Sequence, residues 1–129
     1  MVRPSAAAGC SSLTSLRQQR LLNPVQASGM ALLFKVLASE TRIRILHALI
    51  RADELCVTEL AATVGMKAQA VSNQIQRLAD LGIVAARREG NQVHYRVIDV
   101  CARSLLEQGF CLMKEVSVRR RQGDSVCKM

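Results

Sequence analysis

Between Thr58 and Val97 the spacing of apolar residues changes once, and that change restricts the fold more than any other feature. TELAATVG, from Thr58 to Gly65, reads as a compact helix with Thr58 as its cap and Gly65 as the residue that ends it. After the link Met66-Lys67 comes AQAVSNQIQRLADLG. There Val71, Ile75 and Leu78 recur at helical intervals and place a second helix on the same core. Gly82 ends that helix. In IVAARREGNQVHYRV the period falls to two, in short alternating runs either side of Gly90-Asn91, which is hairpin chemistry. Val93, Tyr95 and Val97 take one face, His94 and Arg96 the other. Two helices joined through a glycine, then a hairpin, define a helix-turn-helix with a wing.

The flanking segments read as helices. Met30, Leu33, Phe34 and Leu37 form one stripe, so residues 27–37 are expected to be a buried helix. Ser39 caps the next one, where Ile43, Leu46 and Ile50 share a face with Ile45 and Leu49 beside them. Arg42, Arg44 and Arg51 fall elsewhere, and ADELC is a short connection. A last helix starts near Asp99. Half the residues are hydrophobic but only 2% are aromatic, so the core must be Leu, Val, Ile and Ala. The expected fold is mostly α with a small β-hairpin wing. The expected organisation is an arm over 1–26 with room for a short helix over 11–22, one domain over 27–115, and a basic, disordered tail over 116–129.

The free face of the second helix carries Lys67, Gln69, Ser72, Asn73, Gln76 and Arg77, with no acid before Asp80. Solvated faces usually mix Glu with Lys; this set of hydrogen-bonding side chains suits base edges and phosphates in the major groove. The hairpin adds Arg87, Arg88, Asn91, Gln92, His94 and Arg96, placed for backbone or minor-groove contacts. The whole chain has 18 Lys+Arg against 10 Asp+Glu, a formal charge of +8, which fits a polyanionic partner.

Other function classes find little support. There is no Ser/His/Asp set, no phosphate-cradling glycine loop and no CxxC, so an enzyme, a thiol oxidoreductase included, is not expected. His47 reads as a partly buried core histidine. The start, MVRPSAAAGC, lacks an apolar signal core, and no run approaches the ~18 apolar residues of a membrane span. A cytoplasmic protein without membrane contact is expected. In a reducing compartment its five cysteines would be free, metal-bound or redox-active rather than a disulfide framework. Two of them, Cys101 and Cys111, share the last helix. Ten residues apart, they lie ~15 Å from each other along the axis. That is beyond the ~7 Å of an intrachain disulfide, and one ion could not touch both.

ELCVTELAATVGMKAQAVSNQIQRLADLGIVAARREGNQVHYRV, with LASETRIRILHAL before it and the last helix after it, resembles the ArsR/SmtB family of metal-sensing repressors over about residues 28–115. The resemblance implies a winged helix-turn-helix homodimer, packed through its first and last helices, on a palindromic double-stranded DNA operator that an inducer makes it leave. One sensor pattern of that family, ELCVCDL, is here ELCVTEL: Cys56 stays and Thr58 replaces the second thiol, so Cys56 reads as a small buried residue. The other sensor site of the family is an Asp, a His two residues on, a second His eleven further and a Glu three beyond. Asp99 and Glu115 match the carboxylates, Cys101 stands at the first His, and Cys111 precedes Leu112 at the second.

Thiolate in place of imidazole implies a softer ion than zinc, nickel or cobalt: Hg(II), As(III), Cd(II) or Pb(II). In an antiparallel pair of last helices, Cys101 of one chain comes level with Cys111 of the other, giving two equivalent sites across the two-fold axis. Cys10 and Cys127 are the candidates for a third thiol, each more readily a spare surface group. No organic cofactor is expected. The alternative is a redox or persulfide switch that closes an intersubunit disulfide between Cys101 and Cys111.

Overall fold

The computed structural model describes residues 15–122. Five helices and three short strands follow in the order α1 (Pro24–Leu37), α2 (Glu40–Ala52), β1 (Leu55–Cys56), α3 (Val57–Val64), α4 (Ala68–Asp80), β2 (Val84–Glu89), β3 (Gln92–Val97) and α5 (Val100–Gln122). The mostly α architecture with a β wing is as expected.

Each boundary has a local cause. α1 begins at Pro24, three residues before the expected start. Pro24 is the first helical residue, where its missing N–H costs nothing. Asn23 Oδ1 accepts from the Gln26 backbone N–H at 2.8 Å and Gln26 Oε1 accepts from the Asn23 N–H at 3.0 Å, a complete capping box. Residues 15–22 form a turn and extended chain, not a helix; the rest of the expected arm helix, 11–14, lies outside the described residues. Ser39 caps α2 as expected, its Oγ accepting from the Arg42 N–H at 3.4 Å. The cap of α3 is Cys56, not Thr58, because Glu59 reaches back to accept from the Cys56 N–H at 3.0 Å and so fixes the first turn two residues early. Gly65 ends α3 at φ 72°, a left-handed conformation that a Cβ would strain. Past Gly109, α5 meets neither glycine nor proline before Gly123, so it continues beyond residue 115, where a disordered tail was expected, and is helical through Gln122.

Ile45, Leu46, Leu49, Leu60, Val71, Ile75 and Leu78 are sealed from solvent at the junction of α2, α3 and α4. Ile83 and Val84 close that core from the sheet side, and Ala102, Leu105 and Leu106 bring the start of α5 onto it. The wing is a three-stranded antiparallel sheet in the order β1-β3-β2. β1, expected to be plain connection, pairs Leu55 with Tyr95 and Cys56 with His94, so β3 is a central strand. Gly90 at φ 64° followed by Asn91 turns β2 into β3. His47 is exposed on α2 rather than partly buried, since the core takes Ile45, Leu46, Ala48 and Leu49 around it.

α1 is the main departure. Its stripe is not buried in the protomer: Met30, Leu33 and Phe34 are between 39% and 47% exposed, and of this helix only Leu37 enters the core. Phe110, Leu112 and Met113 are exposed likewise on α5.

Candidate DNA interface and thiol ridge

Because Val71, Ile75 and Leu78 hold one side of α4 in the core, its opposite side is forced outward. Lys67, Gln69, Asn73, Gln76 and Arg77 are exposed there, with Ser72 half-buried at the margin. Gln69 donates to Asn73 at 3.1 Å and Gln76 donates to Asp80 at 3.1 Å. These are one-turn side-chain pairs that hold the amides in an ordered row.

On the wing the expected contacts divide. Arg88, Asn91, Gln92 and Arg96 are exposed. Arg87 is tied in the protein instead: Nε lies 3.0 Å and Nη2 2.6 Å from the two carboxylate oxygens of Glu54, and Nη1 is 3.3 Å from Glu89. Such a two-pronged pair holds direction as well as charge. The hydrogen bonds from Arg87 push the Glu54 carboxyl below its ordinary range, and Glu54 in turn pushes the Arg87 guanidinium up. Arg87 therefore fastens the wing to Glu54 and Glu89, in addition to standing exposed on it. His94 also has a partner within the wing. Its side chain is 18% exposed in the central strand, with Nε2 3.6 Å from Glu89.

Two residues that the sequence placed only off the apolar face of α2 tie elements together. Arg42 Nε donates to Gln74 Oε1 on α4 at 2.8 Å, while its Nη1 donates to the Val36 carbonyl in α1 at 2.7 Å. Arg44 Nη1 donates to the Val64 carbonyl at 3.0 Å, closing the end of α3. The one signal available was two arginines set between the apolar residues of the helix's first turns.

Cysteine positions differ in kind. Cys56 is 6% exposed at the start of α3, backed by Glu59, whose carboxyl is pushed down by the Cys56 backbone and side chain. Cys101 and Cys111 are exposed on α5. With Ser104, Gln108 and Glu115 they recur at alternating steps of three and four residues, which makes one ridge. All five ridge residues are exposed, and none belongs to the Ala102, Leu105 and Leu106 contact with the core. Asp99 Oδ1 accepts from the Cys101 and Ala102 N–H groups at 2.8 and 3.2 Å, so this carboxylate starts the helix. Cys111 Sγ lies 3.8 Å from Glu115 Oε2 one turn on. Cys111 is a free thiol, whereas Cys101 is disulfide-bonded, with a partner that is not among the described residues. Cys10 and Cys127 lie outside the described residues. Among those described, no group of three or more His, Cys, Asp or Glu is placed to hold a metal ion, and no helix is long and apolar enough to cross a membrane.

A helix-turn-helix domain model matches residues 37–87. Over 83 residues the chain is 34% identical to the cadmium resistance transcriptional regulatory protein CadC of Listeria innocua, covering 64% of this chain and 70% of that protein. Among solved structures it is similar to the AntR antimony-specific transcriptional repressor, at 54% identity and TM-score 0.72, over 84% of this chain and 97% of that one. It is also similar to a homodimeric winged helix-turn-helix DNA-binding domain from Mycobacterium bovis, a possible ArsR-family regulator, at 30% identity and TM-score 0.56, over 78% and 89% of the two chains.

Proposed function

This chain belongs to the ArsR/SmtB family of metal-sensing winged-helix repressors, and from that premise we propose that it leaves its operator when a thiophilic ion joins Cys101 of one protomer to Cys111 of its partner. Family members are DNA-binding regulators, not enzymes. The observation that carries the proposal is the α5 ridge. Both cysteines stand on it outside the contact with their own core, too far apart to share an ion within one chain, and reduction of the bond at Cys101 supplies its thiolate. The exposed stripes of α1 and α5 support a homodimer through these helices, and a two-fold operator follows from a two-fold protein. In an antiparallel pairing of the ridges each Cys101 comes level with the partner's Cys111. Ser104 then falls opposite the partner's Gln108 between the two sites.

A thiolate pair suits Hg(II). A third thiolate, from Cys10 or Cys127, suits As(III), Sb(III) or Cd(II); two of the relatives are named for cadmium and antimony. The ion acts by linkage: it binds one arrangement of the dimer better than another and biases the spacing of the two α4 helices, which must sit about one DNA turn apart. A reducing cytoplasm is the compartment where such thiols are available. The test is fluorescence anisotropy with fully reduced protein and DNA from upstream of its own gene, titrated with antimonyl tartrate, arsenite, Cd(II) and Hg(II). At least one of these is expected to release the DNA, and Cys101→Ser and Cys111→Ser are each expected to block release while keeping binding. Release by oxidant alone, with every ion inert, would assign the thiols to a redox switch instead.

A further inference from the structure

Within its own protomer α1 has few attachments. Leu37 is its one buried residue, and a tight turn through Ala38 leads straight into α2. Among the described residues, a further tie is polar. The Val36 carbonyl belongs to the last turn of α1, where helix carbonyls lack partners and the helix dipole is negative, and the Arg42 guanidinium donates to it at 2.7 Å. The same planar group donates from Nε to Gln74 at 2.8 Å. Gln74 lies between the buried Ile75 and Val71 positions and the exposed Asn73 and Arg77, on the flank of α4. Its neighbour Arg44 closes the end of α3 but reaches nothing on α1. One rigid side chain thus spans α1, α2 and the DNA-facing helix, and both bonds are part-buried.

We propose that Arg42 is a positioning residue for DNA reading. Through its guanidinium, the set of α4 follows the position of α1. This rests on the reading above that α1 lies at the interface between two copies. A shift of α1 by the partner pulls the Val36 carbonyl, turns the guanidinium plane and carries Gln74 with it. By reciprocity, DNA bound at α4 steadies α1. Leu37 supplies an apolar contact at the same joint, but apolar contact has no direction; the forked hydrogen bonds do.

The test is hydrogen–deuterium exchange of the full-length reduced protein, with and without DNA from upstream of its own gene. It is read separately over residues 30–38 and over α4, beside anisotropy measured across a salt series. In the wild type, DNA is expected to slow exchange in both segments. Gln74→Leu cuts the link at α4 and leaves the cap on Val36, and Arg42→Lys keeps the charge but loses the fork. Both are expected to keep protection of α4 and lose that of residues 30–38. Their preference for specific over random DNA is expected to fall about tenfold, each mismatched contact being worth roughly that. Gln74→Glu retains the acceptor and is expected to behave as wild type. The salt slope is expected to stay constant, because no phosphate contact is lost. Wild-type protection of residues 30–38 persisting in Gln74→Leu would overturn the proposal, as would a salt slope that drops with Arg42→Lys. A wild type that does not bind this DNA at all would instead sink the functional reading, a result visible before any variant is made.

Discussion

Arg87 and Arg88 are neighbours of equal charge, and the fold gives them different tasks. Arg87 is held by Glu54 and Glu89, while Arg88 is exposed. Arg88→Ala is expected to lower the slope of log affinity against log salt by about 0.9, the loss of one phosphate contact. Arg87→Ala is expected to weaken binding with little change in slope, and Glu54→Gln to do the same, because both free the wing. Equal slope losses for the two arginines would contradict the assignment. The Glu54 pair also sets a pH dependence. Its carboxyl titrates lower in the folded protein than the ordinary 4.5, so the unfolded chain takes up protons first. The contribution of the pair is therefore full above about 4.5, unchanged from roughly pH 6 to 8, and lost as pH falls through the depressed folded value. Urea midpoints measured from neutral pH downward should decline more gently on the acid side in Glu54→Gln than in wild type. Ser39 and Gly65 were legible in the sequence because their reasons are local: a side chain that bonds three residues on, and a left-handed turn. Arg87 was not, since its partner lies 33 residues upstream, and neither was His94, whose burial depends on a strand of two residues.

At the scale of elements, α3, α4 and the hairpin were readable because period and punctuation agree within each. The stripe of α1 was equally clear as a pattern, yet a helical period states only that a face is apolar, not which surface covers it. Its counterpart on α5 is the argument for a second copy. Phe34→Glu places a charge in that stripe without touching the α2–α3–α4 core. It is expected to leave helix content and unfolding cooperativity intact, to dissociate the dimer in sedimentation, and to weaken operator binding at least about tenfold. A Phe34→Glu protein that remains a tight dimer would place the interface elsewhere. The reach of α5 depends on the same kind of local reading: a segment rich in charge after residue 115 looked like a tail, whereas no glycine or proline stands between Gly109 and Gln122 to break its helical run.

In the proposed dimer, α2 joins a reading head to the interface, with Arg42 as the polar joint and the α5 ridge as the proposed ligand site. The central claim is that each ligand site is built from two chains. It is tested most directly by mixing two inactive variants. Cys101→Ser and Cys111→Ser homodimers each lack one half of both sites. Unfolded together, reduced and refolded, they assort into homodimers and heterodimers, and every heterodimer regains one complete site, Cys101 from one chain and Cys111 from the other. Thiolate–metal absorption per dimer, titrated with the ion that releases wild-type DNA, is expected to be near zero for each variant alone and about one quarter of wild type in the mixture, given random assortment of a two-fold dimer. A mixture that binds no more ion than its separate components would contradict the account.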